Sequence, residues 1–189
     1  MLEWDRATLT GQLLVAMPSM SDSRFEKAVI YVCAHNEEGA MGLVINKLIE
    51  SLTFTELMEQ LNLDTGSLGE EIRVHFGGPV EIGRGFVLHS SDYMQDASLP
   101  VNEDVALTAT VDILKQIAGG GGPRRSLLAL GYAGWGPGQL DSEIQENGWL
   151  TVDADEGLLF GEDLDVKWEK AIGKLGFDPS SLSGQAGRA

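Results

Sequence analysis

The stretch that most constrains this chain is residues 28–46. AVIYVCAH (28–35) is rich in β-branched and aromatic residues and AMGLVIN (40–46) is a second apolar run, with only NEEG (36–39) between them. Two strand-forming runs joined by so short a polar turn read as a β-hairpin, and a hairpin commits this part of the chain to antiparallel pairing. Whatever sheet forms is therefore built around a local, antiparallel centre rather than around a regular succession of βαβ units.

The remaining segments extend that sheet and supply helices to cover it. LLVAM (13–17) reads as a short buried strand, followed by a polar loop or helical turn at SMSDSRFEK (19–27). Thr53 and Glu56 match a capping box, and Phe54, Leu57, Met58 and Leu61 follow at helical spacing, which predicts an amphipathic helix over 54–62. IRVHFG (72–77) and GFVLHS (85–90) read as strands joined by a turn region at GPVEIGR (78–84), and SDYMQDASLPVNED (91–104) as a looser polar segment. VALTA (105–109) is a short strand, after which Thr110 caps a helix expected to turn Val111, Leu114 and Ile117 inward until GGGGP (119–123) ends it. SLLALGYA (126–133) is a buried strand, and GYAGWGPGQLDSEI (131–144) carries it through a tight turn into a helix with Leu140 and Ile144 on its inward face. WLTVDADEGLLF (149–160) reads as two short strands around an acidic turn, and Leu164, Trp168, Ile172 and Leu175 mark a last helix ending near Gly176. No repeat and no linker composition divides the chain, so the expectation is one α+β domain over residues 1–178, with a mainly antiparallel or mixed sheet and a flexible C-terminal tail at 179–189.

Charge narrows the function classes. The 189 residues hold 29 acidic and 13 basic side chains, a formal net charge of -16, and the only adjacent basic pair is Arg124-Arg125. A nucleic-acid surface needs clustered cations that release counterions from phosphates, so direct DNA binding would work against a repulsive field, and anionic membranes are disfavoured for the same reason. The single cysteine, Cys33, leaves no intrachain disulfide, which fits a reducing compartment. The apolar run at 13–17 is shorter than a signal-peptide core and no segment reaches the ~18 apolar residues of a membrane span, so a cytoplasmic location is expected.

Candidate chemistry is sparse. Strict alternation along 28–35 puts Tyr31, Cys33 and His35 on one face and Ile30, Val32 and Ala34 on the other, so a thiol and an imidazole share a side at roughly 6.5 to 7 Å between Cα atoms. Such neighbours seldom aim their tips together, and Cys33 reads either as a buried inert thiol or as a nucleophile served by His35. His35, His75 and His89 lie at or near strand ends but show no metal-ligand spacing, so no metal and no cofactor are expected. The glycines of GGGGPRR (119–125) follow a helix and precede a strand, the reverse of a phosphate-cradling loop, and read as a flexible connection. In GYAGWGPGQLDSEI the amides of a helix start and the rings of Tyr132 and Trp135 suit a flat or anionic ligand, yet the same residues serve equally as a structural turn.

Three long blocks carry a family resemblance. QLLVAMPSMSDSRFEKAVIYVCAHNEEGAMGLVIN (12–46), FGGPVEIGRGFVLHS (76–90) and LALGYAGWGPGQLDSEIQENGWL (128–150) resemble the signature blocks of the bacterial AlgH/YqgE family, in order and across roughly residues 8 to 178. The resemblance implies a cytosolic single-domain protein with a bifurcated mixed, largely antiparallel sheet forming a partial barrel with flanking helices. It brings no reaction with it, and the label of transcriptional regulator that members often carry comes without a DNA-binding module. Cys33, His35, Asn36, Gly39, Met41, Gly42, Asn46, Gly77, Gly78, Pro79, Gly85, His89, Gly131, Tyr132, Trp135, Gln139, Leu140, Glu143 and Trp149 match the family pattern, whereas His75 and the glycines 119–122 do not.

Three readings follow. The first is a non-enzymatic module that binds a small molecule or a protein partner, with at most an indirect regulatory role, its candidate residues being Asn36, Asn46, Gly77, Gly78, Pro79, Tyr132, Trp135, Gln139 and Glu143. The second is a small-molecule enzyme using Cys33, His35 and His89. The third, direct transcriptional regulation, rests on the family label and opposes the charge.

Overall fold

The computed structural model describes residues 9–18, 20, 22–64 and 72–175. The tail at 179–189, the helix end near Gly176 and both outer domain bounds lie outside them. Nine strands form one strongly curled sheet: β1 (Gln12–Ala16), β2 (Val29–Asn36), β3 (Gly39–Val44), β4 (Val74–Phe76), β5 (Val80–Ser90), β6 (Leu99–Pro100), β7 (Val105–Thr108), β8 (Ser126–Trp135) and β9 (Trp149–Asp153). Among the described residues five helices flank it: α1 (Phe54–Gln60), α2 (Val111–Ala118), α3 (Gln139–Gln145), α4 (Glu156–Phe160) and α5 (Lys167–Gly173). This is the single-domain α+β half-barrel that the sequence leads one to expect. Among the described residues no helix is long and apolar enough to cross a membrane.

The sheet runs β6-β7-β5-β8-β3-β2-β1-β9, and it forks at β8. One edge of β8 pairs antiparallel with β5. Its other edge pairs parallel with β4 at Leu128 to Leu130, then antiparallel with β3 at Ala133 to Trp135. The change of partner happens at Gly131, whose φ of 76° is open to glycine and costly for other residues. This kink also breaks side-chain alternation. Leu127 and Ala129 point to the concave core, and Tyr132 rejoins that side one position out of phase, while Ala133 and Trp135 turn to the opposite face.

Curvature shows in the concave core itself, which joins Leu13, Tyr31 and Leu43 to Leu88, Leu107 and Leu127 from distant strands. The Asn102 amide, between β6 and β7, donates to the Tyr31 hydroxyl of β2 at 3.2 Å, although four strand steps separate β7 from β2 in the sheet. Helices α4 and α5 fill the concavity with Leu158, Leu159, Trp168 and Ile172, and the Trp168 indole donates to the Ala16 carbonyl at 2.7 Å. Helix α3 covers the opposite face through Leu140, and α1 and α2 cover the β4 end with Phe54, Met58, Ile113 and Leu114.

Five expectations are corrected by packing. GPVEIGR is not a turn between two strands: from Val80 it belongs to β5, which pairs with β8 at Val80 and again from Gly85 to His89, with residues 81–84 bulging out of the register between them. The second strand expected within 149–160 is helix α4, since the Asp155 carboxylate accepts the Leu158 amide at 2.7 Å and caps it. In α2 the buried residues are Ile113, Leu114 and Ala118, with Val111 44% exposed, and the Thr110 hydroxyl donates to Gln95 instead of capping the helix. The loose segment 91–104 contributes the short strand β6, and Leu61 and Leu175 stay largely exposed beyond helices that end earlier than their apolar spacing suggests.

Candidate functional site

The three sequence blocks meet at β8. The Gly77 amide donates to the Leu130 carbonyl at 2.8 Å and its carbonyl accepts the Val44 amide at 2.9 Å, so the FGG segment stitches β8 to β3. A Cβ on Gly78 would overlap the Tyr132 backbone, and one on Gly39 would overlap the Trp135 carbonyl. These glycines serve close main-chain approach, and Gly77 and Gly78 act through the backbone.

From this junction β8 runs into α3 through a corner whose polar atoms are mutually engaged. Gly138, at φ 72°, starts the helix. One oxygen of Glu143 accepts both the Trp135 and the Trp149 indole N–H at 2.9 Å, and its other oxygen accepts the Gln139 amide at 2.9 Å. Gln139 in turn accepts the Gly136 amide at 2.9 Å. The two indoles stand edge to face at 6.1 Å, and Phe25 stands edge-on to Trp149 at 5.7 Å. A carboxylate that closes three hydrogen bonds at an aromatic cluster is a clamp, and it leaves little capacity for proton transfer to a ligand. A cavity of about 590 Å³ lies alongside, bordered by Pro79, Gln139 and Glu143.

On the other face of the same strands lies an open cavity of about 740 Å³, lined by Asn36, Met41, Val80, Phe86, Leu99 and Tyr132 among others. Phe86 and Tyr132 meet edge to face at 5.8 Å, and the Arg84 guanidinium lies 5.1 Å over the Phe86 ring. Leu99, more than half exposed, extends the apolar character of this side, and Glu38 and Glu81 stand with Arg84 among its polar lining. Trp135 borders both cavities, one strand dividing them.

The thiol and imidazole do not share a face. Pairing with β3 slips between Val32 and Ala34, so Cys33 is the extra residue of a β-bulge. Cys33 stays with Tyr31 in the concave core, Ala34 turns to the concave cavity, and His35 falls on the α3 side opposite Ala40. Cys33 is 2% exposed, its Sγ lies 3.8 Å from the Tyr31 carbonyl, and burial pushes the thiol up to about 12, so it stays protonated near neutrality. His35 Nδ1 accepts the Leu9 amide at 2.9 Å, leaving the neutral ring's proton on Nε2, which lies 3.7 Å from Asp141 of α3. The contact ties the hairpin to the corner.

His89 is fully buried and both ring nitrogens are engaged. Nδ1 donates to the Ser90 carbonyl at 2.9 Å, and Nε2 accepts the Thr108 hydroxyl at 2.7 Å, which in turn lies 2.7 Å from the Ser98 hydroxyl. Burial lowers its affinity for a proton and keeps it neutral. His75 lies on β4, apart from both, and among the described residues no group of three His, Cys, Asp or Glu side chains is arranged to hold a metal ion. Asn46 accepts the Val29 amide and donates to the Lys27 carbonyl, both at 2.9 Å, bracing the hairpin's far end. Asn36 accepts the Glu38 amide at 2.8 Å within the turn and borders the concave cavity.

Met41, Arg84, Phe86 and Leu99 line that cavity without having stood out as site residues in the sequence. A signal existed for two of them: reading GPVEIGRGF as strand would have put Arg84 and Phe86 on one face by alternation.

Comparison with known proteins supplies the lineage. The AlgH-like family profile matches residues 13–180. A UPF0301 protein of Rhodospirillum rubrum is 52% identical, covering 100% of this chain and 98% of the relative. Another, of Bradyrhizobium sp. strain BTAi1, is 56% identical, with 96% and 88% covered. The solution structure of AlgH from Pseudomonas aeruginosa superposes with a TM-score of 0.80 at 42% identity, covering 96% of each chain. The crystal structure of protein DIP2367 from Corynebacterium diphtheriae, 19% identical with a TM-score of 0.66 over 86% of this chain and 85% of its own, shares the fold. Profile, full-length relatives and superposition agree: the chain belongs to the AlgH-like family.

Proposed function

We propose that this protein is a non-catalytic binding module whose site is the concave cavity beside Tyr132. Its occupant is a small apolar or aromatic molecule, or the apolar side chains of a protein partner. The observation that carries this reading is the lining: Met41, Val80, Phe86, Leu99 and Tyr132 form a mostly apolar recess with Asn36 and Arg84 at its border, where the three family blocks converge. A catalytic reading through Cys33, His35 and His89 draws less support, because the bulge parts the first two and hydrogen bonds occupy both nitrogens of the third. Any regulatory role is indirect, acting through that occupant, since a net charge of -16 opposes contact with duplex DNA.

A thermal-stabilisation screen against metabolites, run together with partner capture, tests the reading. Ala97 borders the cavity from an exposed loop, so Ala97→Trp fills the recess without touching the core. Hits that stabilise the wild type and fail on Ala97→Trp and Tyr132→Ala support the proposal. Hits indifferent to both substitutions, or no hit in either screen, refute it.

A further inference from the structure

A second recess, apart from the concave cavity, has the opposite chemistry. β4, the start of β8, α2 and the segment after α4 enclose about 740 Å³, lined by Arg73, His75, Arg124, Arg125 and Ser126 over an apolar floor that includes Phe54 and Phe160. His75 is 5% exposed and its Nδ1–H donates to the Leu128 carbonyl at 3.0 Å. Its Nε2 is buried with no hydrogen-bond partner among the described residues. Buried polar atoms are normally paired, so an orphan at a cavity wall asks for a partner from outside.

The surrounding charges point to the sign of that partner. Arg73 makes no ion pair among the described residues, and Arg124 and Arg125 share a single carboxylate oxygen of Glu156 at 2.8 and 3.5 Å. Lys167 is 2% exposed and, among the described residues, donates to the Ile45 and Leu159 carbonyls at 3.0 Å; burial, aided by Arg73, brings it down to about 7, so near neutrality the positive charge of the recess comes mainly from the arginines. Among the described residues Glu162 is the single acid on the wall. In a chain of net charge -16 with 13 basic residues, three arginines around one recess run against the general field. The glycines 119–122 are not part of the wall; the arginines that follow them are.

We propose that this recess binds a small phosphate-bearing ligand. The guanidiniums of Arg73 and Arg125 hold its oxygens, and His75 Nε2 accepts a hydrogen bond from a P–OH that stays protonated, as in hydrogen phosphate. Because Nδ1 of the neutral ring donates to Leu128, Nε2 is an acceptor, so a ligand must offer both anionic oxygens and a donor. Hydrogen phosphate has both, whereas sulfate offers the same oxygens with no O–H. The proposal is independent of the concave cavity.

Calorimetric or NMR titration of the full chain with inorganic phosphate and with sulfate, at pH 7.5 and low ionic strength, tests it. The expected result is saturable one-site binding of phosphate, with sulfate weaker by about tenfold for the lost hydrogen bond to a buried acceptor. Arg73→Gln, at an exposed position, should weaken phosphate by about tenfold and leave the fold unchanged. His75→Asn, which keeps an N–H facing Leu128, should remove the preference for phosphate over sulfate. No saturable phosphate binding, equal binding of the two anions by the wild type, or indifference to both substitutions would overturn the proposal.

Discussion

The two ends of β8 invite comparison. At the C-terminal end, Glu143 joins two indoles and a glutamine, and that glutamine holds the Gly136 amide, so the polar groups of the clamp find their partners in one another. At the N-terminal end, beside Leu128, lie His75 with a buried nitrogen that has no hydrogen-bond partner, the buried Lys167 with no carboxylate and Arg73 with no ion pair, among the described residues. Satisfied hydrogen-bonding capacity marks a place where the chain holds itself together, and unsatisfied capacity marks a place where something else can enter. The most conspicuous motif of the sequence therefore belongs to the architecture, and the recess with the sharper ligand chemistry carries no motif.

The largest expected effect strikes the junction between the two ends. Gly78→Ala forces a Cβ into the Tyr132 backbone at a φ of 153°, where no side-chain rotation relieves it. Displacing β8 there should cost about 4 kcal/mol or more, placing the substitution among the exceptional cases. Urea unfolding checks it, and a loss under about 1 kcal/mol would mean that the close approach can relax.

Next in size is the clamp. Glu143→Ala leaves the indole N–H groups of Trp135 and Trp149, which are 8% and 2% exposed, without their acceptor. Two orphaned donors and a lost charge-assisted network should cost about 3 kcal/mol, read as a shift in the urea midpoint at unchanged slope. Glu143→Gln keeps one acceptor oxygen and should recover part of that loss. If alanine is tolerated with little change, the corner is not the self-sufficient element that the contrast with the other end requires.

The N-terminal end responds to pH instead. Burial, aided by Lys167 and Arg73 and partly opposed by the bond to Leu128, brings His75 down to about 4 from an ordinary 6.5. A histidine whose folded pKa is depressed contributes its full stability above the unfolded value and loses it as pH falls toward the folded one. Between pH 6.5 and 5 the unfolded chain takes up a proton that the folded chain refuses, which costs about 2 kcal/mol. His75→Asn should flatten the acid limb of the stability curve by that amount. His89 is lowered by burial as well, so its contribution has the same sign and should remain in the variant. An acid limb unchanged by His75→Asn would mean that the recess already admits water or an ion to Nε2.

What could be read from the sequence follows the same division. The hairpin, the capping box of α1, the run of β8 and the turn into α3 were legible because local chemistry and tertiary packing agree there: Thr53 and Glu56 close both bonds of the box, and Leu140 is 2% exposed. Position 33 was not, because a bulge shifts alternation by one and leaves no mark in residue type; Cys33 and His35 fit either phase. Residues 78–84 looked like a turn because Gly78, Pro79 and Gly83 suggest one, yet pairing with β8 at Val80 and from Gly85 on keeps the segment within β5, as a bulge. Helix α4 was hidden behind the β-favourable Leu-Leu-Phe, although Asp155 three residues before Leu158 offered the cap. The recess at His75 could not be found from spacing, since β4, β8 and α2 assemble it from residues far apart in the chain, Arg73 and Arg125 being 52 positions apart.

The smallest expected effect concerns the contact between the hairpin and the corner. His35 Nε2 stands 3.7 Å from Asp141, beyond good hydrogen-bond length, and the Asp141 side chain is 56% exposed. Solvent screens the pair, so Asp141→Asn should change stability by no more than about 0.5 kcal/mol. His35→Ala should cost more, because its ring is 7% exposed and Nδ1 holds the Leu9 amide at 2.9 Å, which fastens the residues ahead of β1 to β2. A double-mutant cycle separates the two contributions. A coupling energy near zero assigns His35 to the anchoring of Leu9, whereas coupling above about 1 kcal/mol would show that the imidazole and carboxylate act together. That outcome would make the C-terminal end of β8 the one poised for chemistry, and reverse the comparison between the two ends.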